Sequence, residues 1–96
     1  MEDCEELKKL KEYLKLKNIP YTTPNTDGDY PINRVKFNIE TNNFSVINGY
    51  GTYGGFDAVY KENQGLLEIM INDNNVIGCL TCESVINMIN TYLQEN

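Results

Sequence analysis

The stretch Arg34-Val35-Lys36-Phe37-Asn38-Ile39-Glu40, continued by Thr41-Asn42-Asn43 and Phe44-Ser45-Val46-Ile47-Asn48, decides the fold. Apolar and polar residues alternate without a break from 34 to 40. Val35, Phe37 and Ile39 therefore share one face, and Arg34, Lys36, Asn38 and Glu40 the other, the pattern of a half-buried strand. Thr41-Asn42-Asn43 has turn chemistry, and the apolar run after it reads as the returning strand. Residues 34–48 are thus expected to form a hairpin.

Further along, Leu66-Leu67-Glu68-Ile69-Met70-Ile71 reads as a third strand, Asn72-Asp73-Asn74-Asn75 as a turn, and Val76-Ile77-Gly78-Cys79-Leu80 as a short fourth strand. Thr81 is placed as an N-cap, and residues 82–94 follow as a helix with Val85, Ile86, Ile89, Tyr92 and Leu93 on one face. Toward the N-terminus, Pro20, Pro24, Asp27-Gly28 and Pro31 mark residues 20–33 as an exposed loop or short edge hairpin. Residues 2–17 carry Cys4, Leu7, Leu10 and Leu14 at helical spacing, with Tyr13 and Leu16 widening the stripe. Acids open this segment and lysines close it, matching the helix dipole, and Asn18 and Pro20 stop it. The expectation is an α+β fold: an N-terminal helix, a three- to four-stranded antiparallel meander and a C-terminal helix, with both helices on one face of the sheet.

At 96 residues there is room for one domain, 1–96, and 41% hydrophobic with 23% charged residues is the composition of a globular chain. No run of 18 apolar residues exists to span a membrane. The acidic start, Met1-Glu2-Asp3-Cys4-Glu5-Glu6, lacks the apolar core of a secretory signal, and three cysteines, Cys4, Cys79 and Cys82, fit free thiols in a reducing cytosol. A cytoplasmic location in the host cell is therefore expected.

Net charge is −6, from 14 acids and 8 bases, and it is unevenly placed. Residues 1–17 hold five acids and five lysines, whereas residues 18–96 hold nine acids against Arg34, Lys36 and Lys61. Such a surface repels phosphate backbones, which argues against direct nucleic-acid binding, and attracts basic protein surfaces. Without histidine there is no Ser-His or Cys-His nucleophile pair and no ordinary zinc ligand set. No enzyme activity, cofactor or metal is expected.

Three constellations could carry chemistry. Gly49-Tyr50-Gly51-Thr52-Tyr53-Gly54-Gly55 is the densest glycine cluster. Its backbone amides could cradle an anion and its tyrosines stack on a ring, so a nucleotide-type ligand is one reading. It lacks the Lys-Ser/Thr of a P-loop, and a wide glycine turn with tyrosines packed on the sheet is the other reading. Cys79-Leu80-Thr81-Cys82 has C-x-x-C spacing at a strand-helix junction, yet it sits near the end of the chain without the βαβ unit of thiol oxidoreductases. Asp27, Asp29 and Tyr30, with Asp57, Tyr60 and Glu62, combine acids with tyrosines, a residue type enriched at interfaces, and are the candidate partner-binding set.

The run Ser45-Val46-Ile47-Asn48-Gly49-Tyr50-Gly51-Thr52-Tyr53-Gly54-Gly55, then Gly65-Leu66-Leu67-Glu68-Ile69-Met70 and Gly78-Cys79-Leu80-Thr81, resembles a group of small phage and prophage proteins of low-GC Gram-positive bacteria. The resemblance covers roughly residues 5–92. That group often has a small residue where Cys82 stands and an aromatic where Cys79 stands, and this chain has a longer insert at residues 56–64. The resemblance implies a phage protein that acts by binding host machinery. Together with the charge, it implies a counter-defence inhibitor of the anti-CRISPR kind, whose partner is a host protein or ribonucleoprotein with a basic surface. The alternatives left open are a non-catalytic sponge for a nucleotide-type small molecule, using residues 49–55, and a homodimer.

Overall fold

Alternation in the central hairpin fixes the register of the sheet in the structure, a computed structural model that describes residues 3–24, 32–49, 52–57, 62–74 and 76–93. Strands β2 (Ile32–Ile39) and β3 (Asn42–Gly49) pair antiparallel, with Val35 opposite Val46 and Phe37 opposite Phe44. Their turn is Glu40-Thr41, with Glu40 at φ 56°, so Asn42 and Asn43, expected in the turn, instead begin β3. β3 then pairs with β6 (Leu67–Ile71), and β6 with β7 (Val76–Leu80). Asn72 and Asp73, at φ 56° and 57°, make that last turn, as short polar side chains tolerating the left-handed region should.

A fifth strand, β1 (Tyr21–Thr22), pairs antiparallel with β2 at Phe37 and Lys36. The sheet order is therefore β1-β2-β3-β6-β7, five strands rather than three or four. The segment flanked by prolines contributes an edge strand of two residues, too short for alternation to reveal. A separate two-stranded ribbon, β4 (Phe56–Asp57) with β5 (Glu62–Asn63), forms in the polar insert between β3 and β6.

Helix α1 (Glu5–Leu16) buries Leu7, Leu10 and Leu14, and α2 (Cys82–Leu93) buries Cys82, Val85 and Ile89. Both pack on the face of the sheet carrying Val35, Phe37, Ile39, Phe44, Val46, Leu67 and Ile69. Phe44 stacks on Phe37 with centroids 5.1 Å apart and meets the edge of Tyr92 at 5.2 Å. Leu16, expected to widen the α1 stripe, is 78% exposed, because two residues past Leu14 lies on the opposite side of the helix. Leu93, at the last turn of α2, is 40% exposed. Asn18 ends α1 at φ 58°: its N–H donates to the Lys15 carbonyl at 3.1 Å and the Ile19 N–H to the Leu14 carbonyl at 2.9 Å. Those two bonds close a Schellman motif and satisfy carbonyls the helix leaves open.

Candidate functional site

β3 ends at Asn48 and Gly49, and the alternation that buries Phe44 and Val46 buries Asn48 as well. A buried amide must find partners. Asn48 Nδ2 donates to Asn63 Oδ1 at 3.0 Å and to the Leu66 carbonyl at 2.8 Å, while Asn63 Nδ2 donates to Asn48 Oδ1 at 2.6 Å. This amide pair joins the end of β3 to β5 and to the chain entering β6.

The glycine segment closes over that junction. Thr52 Oγ1 accepts the Gly49 N–H at 3.0 Å and donates to the Gly49 carbonyl at 2.9 Å. Gly55 lies so close that a Cβ there would sit 2.0 Å from Thr52 Oγ1 and 2.1 Å from the Gly49 carbonyl oxygen. Gly55 also donates to the Thr52 carbonyl at 3.1 Å, and the Gly54 and Gly55 carbonyls accept from Leu66 and Gln64. The turn then leans on β7: Tyr53 accepts the Cys79 N–H at 3.1 Å, and a Cβ on Gly78 would fall 2.1 Å from the Tyr53 Cβ. β7 accommodates this with a bulge, three residues from Ile77 to Leu80 against two from Ile69 to Leu67, and Cys79 at φ 57°.

Within the glycine segment, Gly49, Thr52, Gly54 and Gly55 are buried and bonded to one another or to the sheet. The Tyr53 N–H donates to Glu68 Oε1 at 2.8 Å, so the anion it meets is one of the chain's own carboxylates. Tyr53 is 66% exposed and offers its ring to solvent. Tyr50 and Gly51 lie outside the described residues.

In the partner-binding set, Asp57 and Glu62 are Cα partners across the β4–β5 ribbon, which sets two acids directly opposite each other in register. Asp27, Asp29, Tyr30 and Tyr60 lie outside the described residues. Among the described residues no group of three or more Cys, Asp or Glu is placed to hold a metal ion, and no helix is long and apolar enough to cross a membrane.

The C-x-x-C segment is divided by the fold. Cys79 is exposed on β7, whereas Cys82 is buried at the start of α2. A helix N-terminus ordinarily lowers a thiol pKa. Here burial, aided by the Glu6 carboxylate, pushes the Cys82 thiol up to about 11. Glu6 Oε1 accepts the Cys82 N–H at 2.6 Å, taking the place a bound anion or thiolate would favour. This bridge between helices was hidden in the sequence, where Glu6 serves the dipole of its own helix.

Two surface grooves are open among the described residues. One, of about 570 Å³, runs beside β1 and includes Pro20, Tyr21, Lys36 and Asn43. The other, of about 460 Å³, lies between Glu6, Lys9 and the start of α2. Neither is lined by Thr52, Tyr53, Gly54 or Gly55, the described residues of the glycine turn.

No protein-family model, curated protein or solved structure matches this chain.

Proposed function

We propose that the protein is a non-catalytic binding module of phage type that occupies a basic, nucleic-acid-binding surface of a host complex, as an inhibitor of the anti-CRISPR kind. The observation that carries this reading is the placement of charge. In and beside α1, Glu5 pairs with Lys8 at 3.5 Å, Glu6 with Lys9 at 3.2 Å, and Asp3 with Lys11. The helix therefore neutralises itself, and the net −6 belongs to residues 18–96, where nine acids face three bases. Asp57 and Glu62 share a register position on the β4–β5 ribbon, which places two acids at one point of the fold and favours a lysine- or arginine-bearing partner. The internal bonding of the glycine segment weighs for this reading over the nucleotide sponge.

The test is capture from host lysate with the tagged protein at low and high salt, with native mass spectrometry of the purified protein alongside. A basic protein or ribonucleoprotein retained at low salt and released at high salt, and displaced from its nucleic acid by the added protein, is the expected result. Capture indifferent to salt, or a small molecule travelling with the native protein in place of a macromolecule, would overturn it.

A further inference from the structure

Of the 14 asparagines in the chain, only Asn48 precedes a glycine. That dipeptide has its own chemistry. The glycine nitrogen can attack the asparagine side-chain carbon, since no Cβ hinders the approach. A bond forms between Gly49 N and Asn48 Cγ, the Cγ–Nδ2 bond breaks, and ammonia leaves carrying the amide proton. Water then adds across one C–N bond of the resulting succinimide, giving aspartate or isoaspartate.

The fold blocks each requirement of this reaction. Gly49 N–H is held by Thr52 Oγ1 at 3.0 Å. Asn48 Nδ2 donates to Asn63 Oδ1 and the Leu66 carbonyl, and Asn48 Oδ1 accepts from Asn63. Asn48 is fully buried, and it sits in β3 opposite Asn33, in extended backbone rather than the folded-back geometry of the five-membered ring. The hydrogen bonds among these restraints come from Thr52, Asn63 and Leu66, so breaking those contacts frees the Gly49 nitrogen and the Asn48 amide together.

We propose that Asn48 is a spontaneous modification site gated by the contacts that Thr52, Asn63 and Leu66 make with Asn48 and Gly49, and that its conversion releases those contacts. The carboxylate formed has no hydrogen to give to the Leu66 carbonyl or to Asn63 Oδ1, and it places an uncompensated charge in a buried position. Isoaspartate also adds a methylene to the β3 backbone at the point where the strand ends. The change is irreversible, so each opening of those contacts carries a fixed chance of permanent release. The inference is independent of the function proposed above.

The experiment follows every asparagine by peptide mapping and mass spectrometry, in the full chain incubated at neutral pH in buffer and in denaturing urea. In urea, Asn48 is expected to convert before any other asparagine. In buffer its conversion is expected to be slower by about tenfold or more, the factor that about 1.4 kcal/mol of opening free energy gives. Thr52→Ala, which removes the acceptor on Gly49 N–H, is expected to speed conversion in buffer while hydrogen exchange in α1 and β2 stays as in the wild type. Equal rates in buffer and urea, an asparagine other than Asn48 reacting first in urea, or a Thr52→Ala chain converting no faster than wild type would each overturn the proposal. Release is read in Asn48→Asp by hydrogen exchange: amides of residues 52–55 and 62–66 lose protection while the helices keep theirs. Should Asn48→Asp not fold, Asn63→Ala gives the same readout with Asn48 intact, and unchanged protection in the folded variant refutes the gate.

Discussion

Glu6 shows how one side chain serves two helices. Its position in the first turn of α1 suits the dipole of that helix, yet its carboxylate accepts the first N–H of α2. Thr81, read from the sequence as the N-cap, shares the work by accepting the Ser84 N–H at 3.3 Å. The Cys82 amide, then Lys9, holds the Glu6 carboxyl below its ordinary value of 4.5. A folded-state pKa below the unfolded one gives stability that is complete above the unfolded value and is lost as pH falls through the folded one. Urea unfolding measured across a pH series is therefore expected to show stability declining below pH 4.5, and Glu6→Gln is expected to flatten part of that decline. Glu6→Ala should cost about 1 kcal/mol at neutral pH, the ordinary worth of a helix cap. The same contact decides the thiols. With Cys82 buried and its pKa raised, and Cys79 exposed, alkylation of the native protein at neutral pH should modify Cys79 well before Cys82. Matched rates, followed by peptide mass, would restore the C-x-x-C as a reactive pair.

At the scale of elements, what could be read in advance followed burial. The strands β2, β3 and β6 announce themselves because one face of each meets the helices, so their sequences must alternate. α1 and α2 announce themselves by the same logic at helical period. β1, β4 and β5 stayed hidden because strands of two residues are too short to show a period, and their pairing is set by where β2 and the glycine segment hold them. Of the candidate residues, the register of Asp57 against Glu62 was equally hidden; Asn48, which was not among them, is buried because it continues the even-numbered series Phe44, Val46 toward the core. The glycines divide on the same physical ground. Gly55 is required by contact, with Thr52 Oγ1 and the Gly49 carbonyl inside the space of a Cβ, while Gly65 is required only by conformation, at φ 74° with nothing within 4 Å. Gly65→Ala is accordingly expected to cost about 1 kcal/mol, and Gly55→Ala about 3 kcal/mol by forcing Thr52 off Gly49. Urea midpoints at unchanged slope measure both, and equal costs would mean that the turn is looser than its hydrogen bonds indicate.

The whole molecule adds a long-range field to these local contacts. A chain of net −6 is drawn to a basic surface from beyond contact distance, and that attraction acts chiefly on the rate of association and weakens as salt shortens the screening length. Net charge alone does not select a face, however. Neutralising two acids anywhere lowers the long-range field equally, whereas only acids at the interface also lose a short-range partner. Asp57→Asn with Glu62→Gln removes two charges from the ribbon, and Asp3→Asn with Glu5→Gln removes two that already face Lys11 and Lys8. Against a host complex of the kind proposed above, both pairs should slow association modestly and by similar factors at low salt. The ribbon pair alone should also speed dissociation, by about tenfold or more if the acids meet basic groups in a desolvated contact. Stopped-flow association and surface-bound dissociation, each measured at two salt concentrations, separate the two effects. Identical dissociation for the two double variants would mean that the ribbon contributes only its charge, and would move the contact face elsewhere on the molecule.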